Sequence, residues 1–330
     1  MVGLDGDNKK VKLRFRRTVM VILIIIILFI IGTLIVGNYF YNYALTRKGV
    51  EKNVEKLASA DGIPNFDDFR SAIDHEWWSK HSARRITINS FDGLKLSALY
   101  VKNETDTNKI VIFSHGYSAT AASMVLYAPT YYELGYDIIS VDNRAHGESE
   151  GNVIGMGNFD SDDMMRWINK AIELKGSECK IVLHGVSMGA TIMCSVSDKE
   201  IDKNVKAIIS DCAYDNAENI YTHLLKSEYK LPKFPIINAL EVVCRLRGKY
   251  FLNDVDVISN VSNSKIPILF IHGSEDTFVP LNMLENLYNA TPEDKRDILI
   301  IKGGSHAASI IVNKDEYTKK VGYWINKYVE

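Results

Sequence analysis

The segment Gly185-Val186-Ser187-Met188-Gly189 constrains this chain more than any other. An apolar run at residues 181–184 leads into it as a strand, and a helix-forming stretch at 190–196 leads out. A serine held between strand and helix by G-x-S-x-G sits on a sharp turn, with its backbone strained and its hydroxyl raised above the sheet. The two glycines answer a steric demand, because larger side chains would collide where the strand turns into the helix. Five residues of this pattern arise by chance. The strand–turn–helix context is what makes the motif informative.

A serine hydroxyl is a weak nucleophile at neutral pH, so it needs a base, and the base needs an orienting acid. Both follow downstream. Asp276 lies in His272-Gly273-Ser274-Glu275-Asp276, after the buried-strand pattern at 267–271. His306 lies in Gly303-Gly304-Ser305-His306, after a second apolar run at 298–301. Each stands on a loop after its own strand, where open parallel sheets build their sites. The order Ser, Asp, His is that of a strand-to-helix serine nucleophile. Asp211, at the end of the strand pattern 205–210, is the rival acid. His115, His146, His184 and His272 precede glycine or adjoin sharp turns and are expected to shape loops. His223 is expected at the surface.

Strand patterns recur near 85–90, 94–101, 110–115, 137–142, 180–185, 205–211, 266–272 and 297–302. Helical stretches lie near 120–134, 159–175, 188–198, 281–290 and 314–328. Asp92-Gly93 marks a hairpin turn between the first two strands. Repeated β-then-α units with short apolar strands imply a mostly parallel sheet covered on both faces. Residues 214–264 are too many for a plain connection. Gly155-Met156-Gly157 lacks the third glycine and the preceding strand of a dinucleotide loop.

With these motifs in hand, the chain from about Arg85 to Glu330 resembles the α/β-hydrolases, of the bacterial, membrane-anchored serine-hydrolase type with esterase or serine-aminopeptidase character. His115-Gly116-Tyr117 is similar to the family's oxyanion loop, and the run from Asp142 to Ser149, Asp-Asn-Arg-Ala-His-Gly-Glu-Ser, to its D-x-R-x-H-G-x-S segment. The resemblance covers roughly three quarters of the chain. It implies an α/β-hydrolase fold with a small helical cap at about 214–264. It also implies Ser187, His306 and Asp276 as a catalytic triad and the backbone N–H groups of Tyr117 and Met188 as the oxyanion hole. Preorganised donors at the developing oxyanion lower the barrier by about 3–4 kcal/mol each. The cap's apolar residues, Leu224, Leu225, Leu231, Phe234, Ile236, Ile237, Leu240 and Val243, are expected mostly to pack it down, with some lining a substrate pocket. Its basic residues, Lys226, Lys230, Lys233, Arg245, Arg247 and Lys249, read first as a solvated face and second as an anion or anionic-lipid contact.

Residues 19–36 are almost unbroken Val, Ile, Leu, Met and Phe. At 1.5 Å per residue, about 18 residues span roughly 27 Å, enough for a hydrocarbon core. Lys9, Lys10, Lys12, Arg14, Arg16 and Arg17 precede the run, and Tyr39, Phe40, Tyr41 and Tyr43 follow it. Basic residues before and aromatic residues after predict a single-pass signal anchor over 18–40, with residues 1–17 in the cytoplasm and the hydrolase domain outside. A cleaved signal peptide is the competing reading, but such segments are shorter and end on small residues. Residues 41–84 read as a helical linker broken near Gly62 and Pro64. His75-Glu76-Trp77-Trp78 with His81 fails the spacing of a zinc helix, and the tryptophans are expected to pack on the domain or sit near the membrane. The anchor is expected to supply location rather than core, so that deleting residues 1–43 leaves a working soluble domain.

A formal net charge of −2 argues against a nucleic-acid partner. No cofactor or metal is expected. Cys179, Cys194, Cys212 and Cys244 lack paired or metal spacing and read as small buried thiols, with one bridge left open. The favoured function is hydrolysis of a carboxylic ester through an acyl-enzyme, on a small or lipid-like acyl substrate. Peptidase, amidase, thioesterase and acyltransferase chemistry would use the same triad. A non-catalytic surface protein is the reading from another class, and the complete triad speaks against it.

Overall fold

The computed structural model of the protein describes residues 4–57, 76–201 and 203–329. The expected break near Gly62 and Pro64, together with His75, lies outside the described residues. The chain opens with a long helix, α1 (Leu4–Ala44), then α2 (Arg47–Leu57) and a short α3 (Trp77–Lys80). Trp77 and Trp78 are buried against the domain, and Trp78 Nε1 donates to the Ala122 carbonyl at 2.9 Å.

All eight expected strands form: β1 (Arg84–Asn89), β2 (Lys95–Val101), β3 (Lys109–Ser114), β4 (Asp137–Val141), β5 (Lys180–Val186), β6 (Val205–Asp211), β7 (Ile268–Gly273) and β8 (Arg296–Ile301). They make one sheet in the order β1-β2-β4-β3-β5-β6-β7-β8. β2 runs antiparallel to both its neighbours, while the remaining pairs, from β4 to β8, are parallel. The alternation of side chains divides the core between two faces. Ile110, Ile112, Ile181 and Leu183 join one buried cluster, and Val111, Phe113 and Val182 join the other.

The helix expected over 120–134 is a 3₁₀ segment, Ala121–Leu126, followed by α4 (Ala128–Glu133). Pro129 explains the split, since it lacks an N–H and belongs in a first turn. The other expected helices form as α5 (Asn158–Lys175), α6 (Met188–Ser195), α10 (Leu281–Ala290) and α12 (Lys314–Val329). Between β6 and β7 the cap comprises α7 (Ala217–Tyr229), α8 (Lys233–Val243) with a π-helical extension Cys244–Gly248, and α9 (Val257–Ser262). α11 (Ser309–Val312) is one turn ahead of α12. The four cysteines are free and buried.

One expectation is overturned by the packing. Tyr41, Leu45 and Val50 are buried in the main core cluster, so the chain ahead of Arg85 supplies core. Leu45 O accepts from Ile154 N at 3.1 Å, Arg47 N donates to Asn152 O at 3.0 Å, and Thr46 bridges to Val153. Arg47 also donates from its guanidinium to Ser149 O at 2.7 Å and to Gly147 O. The apolar helix is therefore joined to the domain rather than tethered by a free linker. A deletion through Tyr43 is expected to melt lower than one ending near residue 36. Losing a buried aromatic costs about 3–5 kcal/mol, or roughly 10 °C for a domain of this size. Equal melting temperatures for the two truncated proteins would return Tyr41 to the linker.

Candidate active site

Ser187 stands between β5 and α6 with φ 54° and ψ −118°, a left-handed conformation that costs energy in any residue with a Cβ. The tight turn leaves no room beside it. A Cβ on Gly185 would come within 2.2 Å of Gly189 O, and one on Gly189 within 2.0 Å of Ser114 O. The glycine pattern thus reflects close backbone approach between β5, α6 and β3.

Three loops at the C-terminal edge of the sheet bring the expected residues together. His306 Nε2 lies 2.8 Å from Ser187 Oγ, and His306 Nδ1 lies 2.8 Å from Asp276 Oδ2. The chemistry of the three groups assigns the protons: Nδ1–H donates to the carboxylate, and Nε2 accepts from the hydroxyl. Asp276 Oδ1 accepts from the amides of Phe278 at 3.0 Å and Val279 at 2.8 Å. Burial pushes the Asp276 carboxyl up, but His306, His272 and the Val279 amide outweigh it and hold the group below its ordinary value. Phe278 packs its ring beside the His306 imidazole, with centroids 4.8 Å apart.

The rival acid is turned elsewhere. Asp211 Oδ2 accepts from the Tyr317 hydroxyl at 3.0 Å, within a buried chain that continues through His184 Nε2 to Tyr131. Burial pushes Asp211 up to about 7. His184 falls to about 3 for the same reason and stays neutral, which fits its expected structural place.

Gly116 puts the loop after β3 against the serine, since a Cβ there would meet Ser187 Cβ at 3.5 Å. Met188 is the first residue of α6, and an amide at that position has no acceptor in its own helix. The Tyr117 carbonyl is bound by His146 Nε2, and His146 Nδ1 meets Arg144 O at 2.9 Å. His115 Nε2 accepts from the Asn143 amide at 3.1 Å, while Asn143 Nδ2 donates to His115 O at 3.1 Å. Arg144, buried, binds Asp163 through Nε at 2.6 Å and through Nη2 at 2.9 Å. The run from Asp142 to Ser149 therefore acts as a brace for the loop carrying Tyr117.

Two contacts were not legible from the motifs. The Tyr117 hydroxyl donates to Ala44 O, at the end of α1, at 2.5 Å. In the cap, His223 Nε2 lies 2.9 Å from Thr277 O, next to Asp276. Both join residues far apart in sequence, with no local pattern to announce them. Cys212, Asp276 and His306 have potential ligand atoms within 4.8 Å of one another. His306 and Asp276 already bind each other there, and burial drives the Cys212 thiol well above its ordinary value, so it stays a protonated, poor metal ligand.

The sequence matches a family described as alpha/beta hydrolase fold over residues 109–235. It is 27% identical over 216 residues to the uncharacterized protein YqkD of Bacillus subtilis, covering 66% of this chain and 70% of that one. It is 24% identical over 241 residues to an uncharacterized membrane protein of Saccharomyces cerevisiae, YNL320W, covering 73% and 76% respectively. Among solved structures, the Pyrococcus furiosus esterase Pf2001 superposes with a TM-score of 0.62 at 20% identity, over 76% of this chain and 94% of that one.

Proposed function

From the α/β-hydrolase fold that this chain has, we propose a serine hydrolase of carboxylic esters, held in the membrane by α1 with its catalytic domain on the extracytoplasmic side. The observation that carries the reading is the continuous relay from Ser187 through His306 to Asp276, with 2.8 Å at each step. Ser187 Oγ attacks the ester carbonyl while His306 Nε2 takes its proton, and Asp276 steadies the imidazolium. The Tyr117 and Met188 amides meet the negative charge that develops on the carbonyl oxygen. His306 then protonates the departing alcohol. Water, deprotonated by the same imidazole, releases the acid and restores the serine.

α1 supports the anchoring, because the stretch Lys12–Ala44 is long and apolar enough to cross a bilayer. The basic residues before the span support the orientation. The esterase likeness supports ester substrates, and a likeness to an acylaminoacyl peptidase at 21% identity keeps amides as the second reading. A lipid-like ester is the class that suits an enzyme whose anchor adjoins its site.

A membrane-impermeant fluorophosphonate probe tests nucleophile and orientation together. Labelling of Ser187 in intact cells is the expected result. Labelling only after lysis would overturn the orientation, and no labelling in either state would overturn the nucleophile. Panels of esters, thioesters and peptides then sort the acyl chemistry.

The acid side of the pH profile follows from the site electrostatics. Asp276 is held below its ordinary value, so it remains a carboxylate through the range in which imidazoles take up a proton. kcat/KM is expected to fall on acidification as the base takes up a proton. A profile flat down to about pH 4, where carboxylates rather than imidazoles titrate, would exclude a histidine base.

A further inference from the structure

The cap lies directly against the exit end of α1. A Cβ on Gly37 would sit 2.6 Å from the Ala239 carbonyl carbon, so α8 and α1 touch backbone to backbone there. Further along the cap, Arg247 stacks over the Tyr41 ring at 4.6 Å and donates to Asn38 Oδ1 at 2.5 Å and Asn42 Oδ1 at 2.9 Å. Beyond that, Tyr250 donates to Ile154 O at 2.7 Å, and the Ile154 amide donates to Leu45 O. Moving from residue 239 to 247, the cap meets position 37 and then 38–42. α8 and its extension therefore run in the same direction as α1.

This register has a consequence for the start of α8. Residue 235 lies four residues, about 6 Å, on the apolar side of the Gly37 contact. That is the level of Thr33. Thr33 is partly buried where the other residues between 12 and 36 are exposed, as expected if the cap reaches down beside it. At this level the cap presents uncovered apolar side chains with the exposed Lys230 and Lys233 beside them. Phe234 is 69% exposed and Leu231 37%, whereas Ile237, Leu240 and Val243 of the same helix are buried. The expected packing role holds for the buried three and fails for Phe234 and Leu231. Arg247 stands higher, against Asn38, Tyr41 and Asn42, towards the end of the span where headgroups favour cations.

We propose that the turn entering α8, with Phe234 at its tip, is a second membrane contact that inserts among the acyl chains beside residues 33–36 of α1. The inference rests on α1 being a membrane anchor. An uncovered apolar tip flanked by Lys230 and Lys233, whose long stems let their ammonium groups reach up to the headgroups, suits a bilayer interface.

Site-directed labelling of the full-length protein tests this, because the four native cysteines are buried and leave an introduced thiol as the reactive one. Phe234→Cys, Leu246→Cys, Ile26→Cys and Tyr323→Cys each carry an environment-sensitive NBD fluorophore in phosphatidylcholine–phosphatidylglycerol vesicles containing doxyl-labelled acyl chains. Labels at 26 and 234 are expected to be quenched about twofold or more, the label at 246 less, and that at 323, on the outer face of α12, not at all. Quenching at 26 with a label at 234 that behaves like 323 would overturn the inference and leave the anchor standing. Absence of quenching at 26 would overturn the anchor reading, and this inference with it. Shielding at 234 that disappears as protein is diluted in lipid would assign the face to a second copy of the chain, which also overturns it.

Discussion

Ser187→Ala is expected to remove about 10⁴ to 10⁶ of kcat, the largest effect of any single substitution in this protein. The serine occupies a strained backbone position, φ 54°, that α6 and β3 hold in place through backbone contacts at Gly185 and Gly189. Alanine retains the Cβ and the turn, so the fold is expected to survive while the attacking oxygen is lost. Only the oxyanion donors and general binding would remain, which leaves a small residual rate over water. Purified Ser187→Ala, with an unchanged melting curve, should be assayed on the best ester found for the wild type. Retention of more than about a tenth of the activity would remove Ser187 from the nucleophile's role.

Asp276→Asn is expected to cost about 10⁴-fold in kcat, whereas Asp211→Asn should change kcat far less and act mainly on stability or substrate fit. The difference follows from what each carboxyl binds. Asp276 Oδ2 receives His306 Nδ1 at 2.8 Å, and two amides hold its other oxygen. An asparagine would keep the shape but present an amide that favours the wrong imidazole tautomer. Asp211 instead receives Tyr317, and burial raises it to about 7, so a fraction is protonated at neutral pH and less able to steady an imidazolium. The reverse ranking, in folded variants measured side by side, would transfer the role to Asp211.

Much of this architecture was legible because its signals are local. Each strand of the sheet is a short apolar run between turn residues, and each loop of the candidate site follows such a run. The split of the 120–134 helix was carried by Pro129, whose missing N–H marks a first turn. The choice between Asp276 and Asp211 was less legible. Both stand at or just after strand ends, and only the packed loops bring Asp276 Oδ2 to His306 and Asp211 Oδ2 to Tyr317.

What the sequence by itself determined are the features written in periodicity and in steric necessity. These are the alternation of strands and helices, the glycine-framed turn at Ser187, the order of Ser, Asp and His, and the apolar span before them. Tertiary structure alone decided the features that join distant segments. Tyr41, Leu45 and Val50 look like linker residues in an amphipathic stretch, yet they are buried because the cap and the loop at 147–154 close over them. Tyr117 reads as one more loop aromatic, yet its hydroxyl meets Ala44 across 73 positions of chain. Phe234 has the composition of a core residue and is left exposed, because Gly37 and Ala239 set the height at which α8 crosses the end of α1. The physical reason is the same in each case. Local sequence sets which surfaces are apolar, and only the packed chain decides which apolar surfaces find one another.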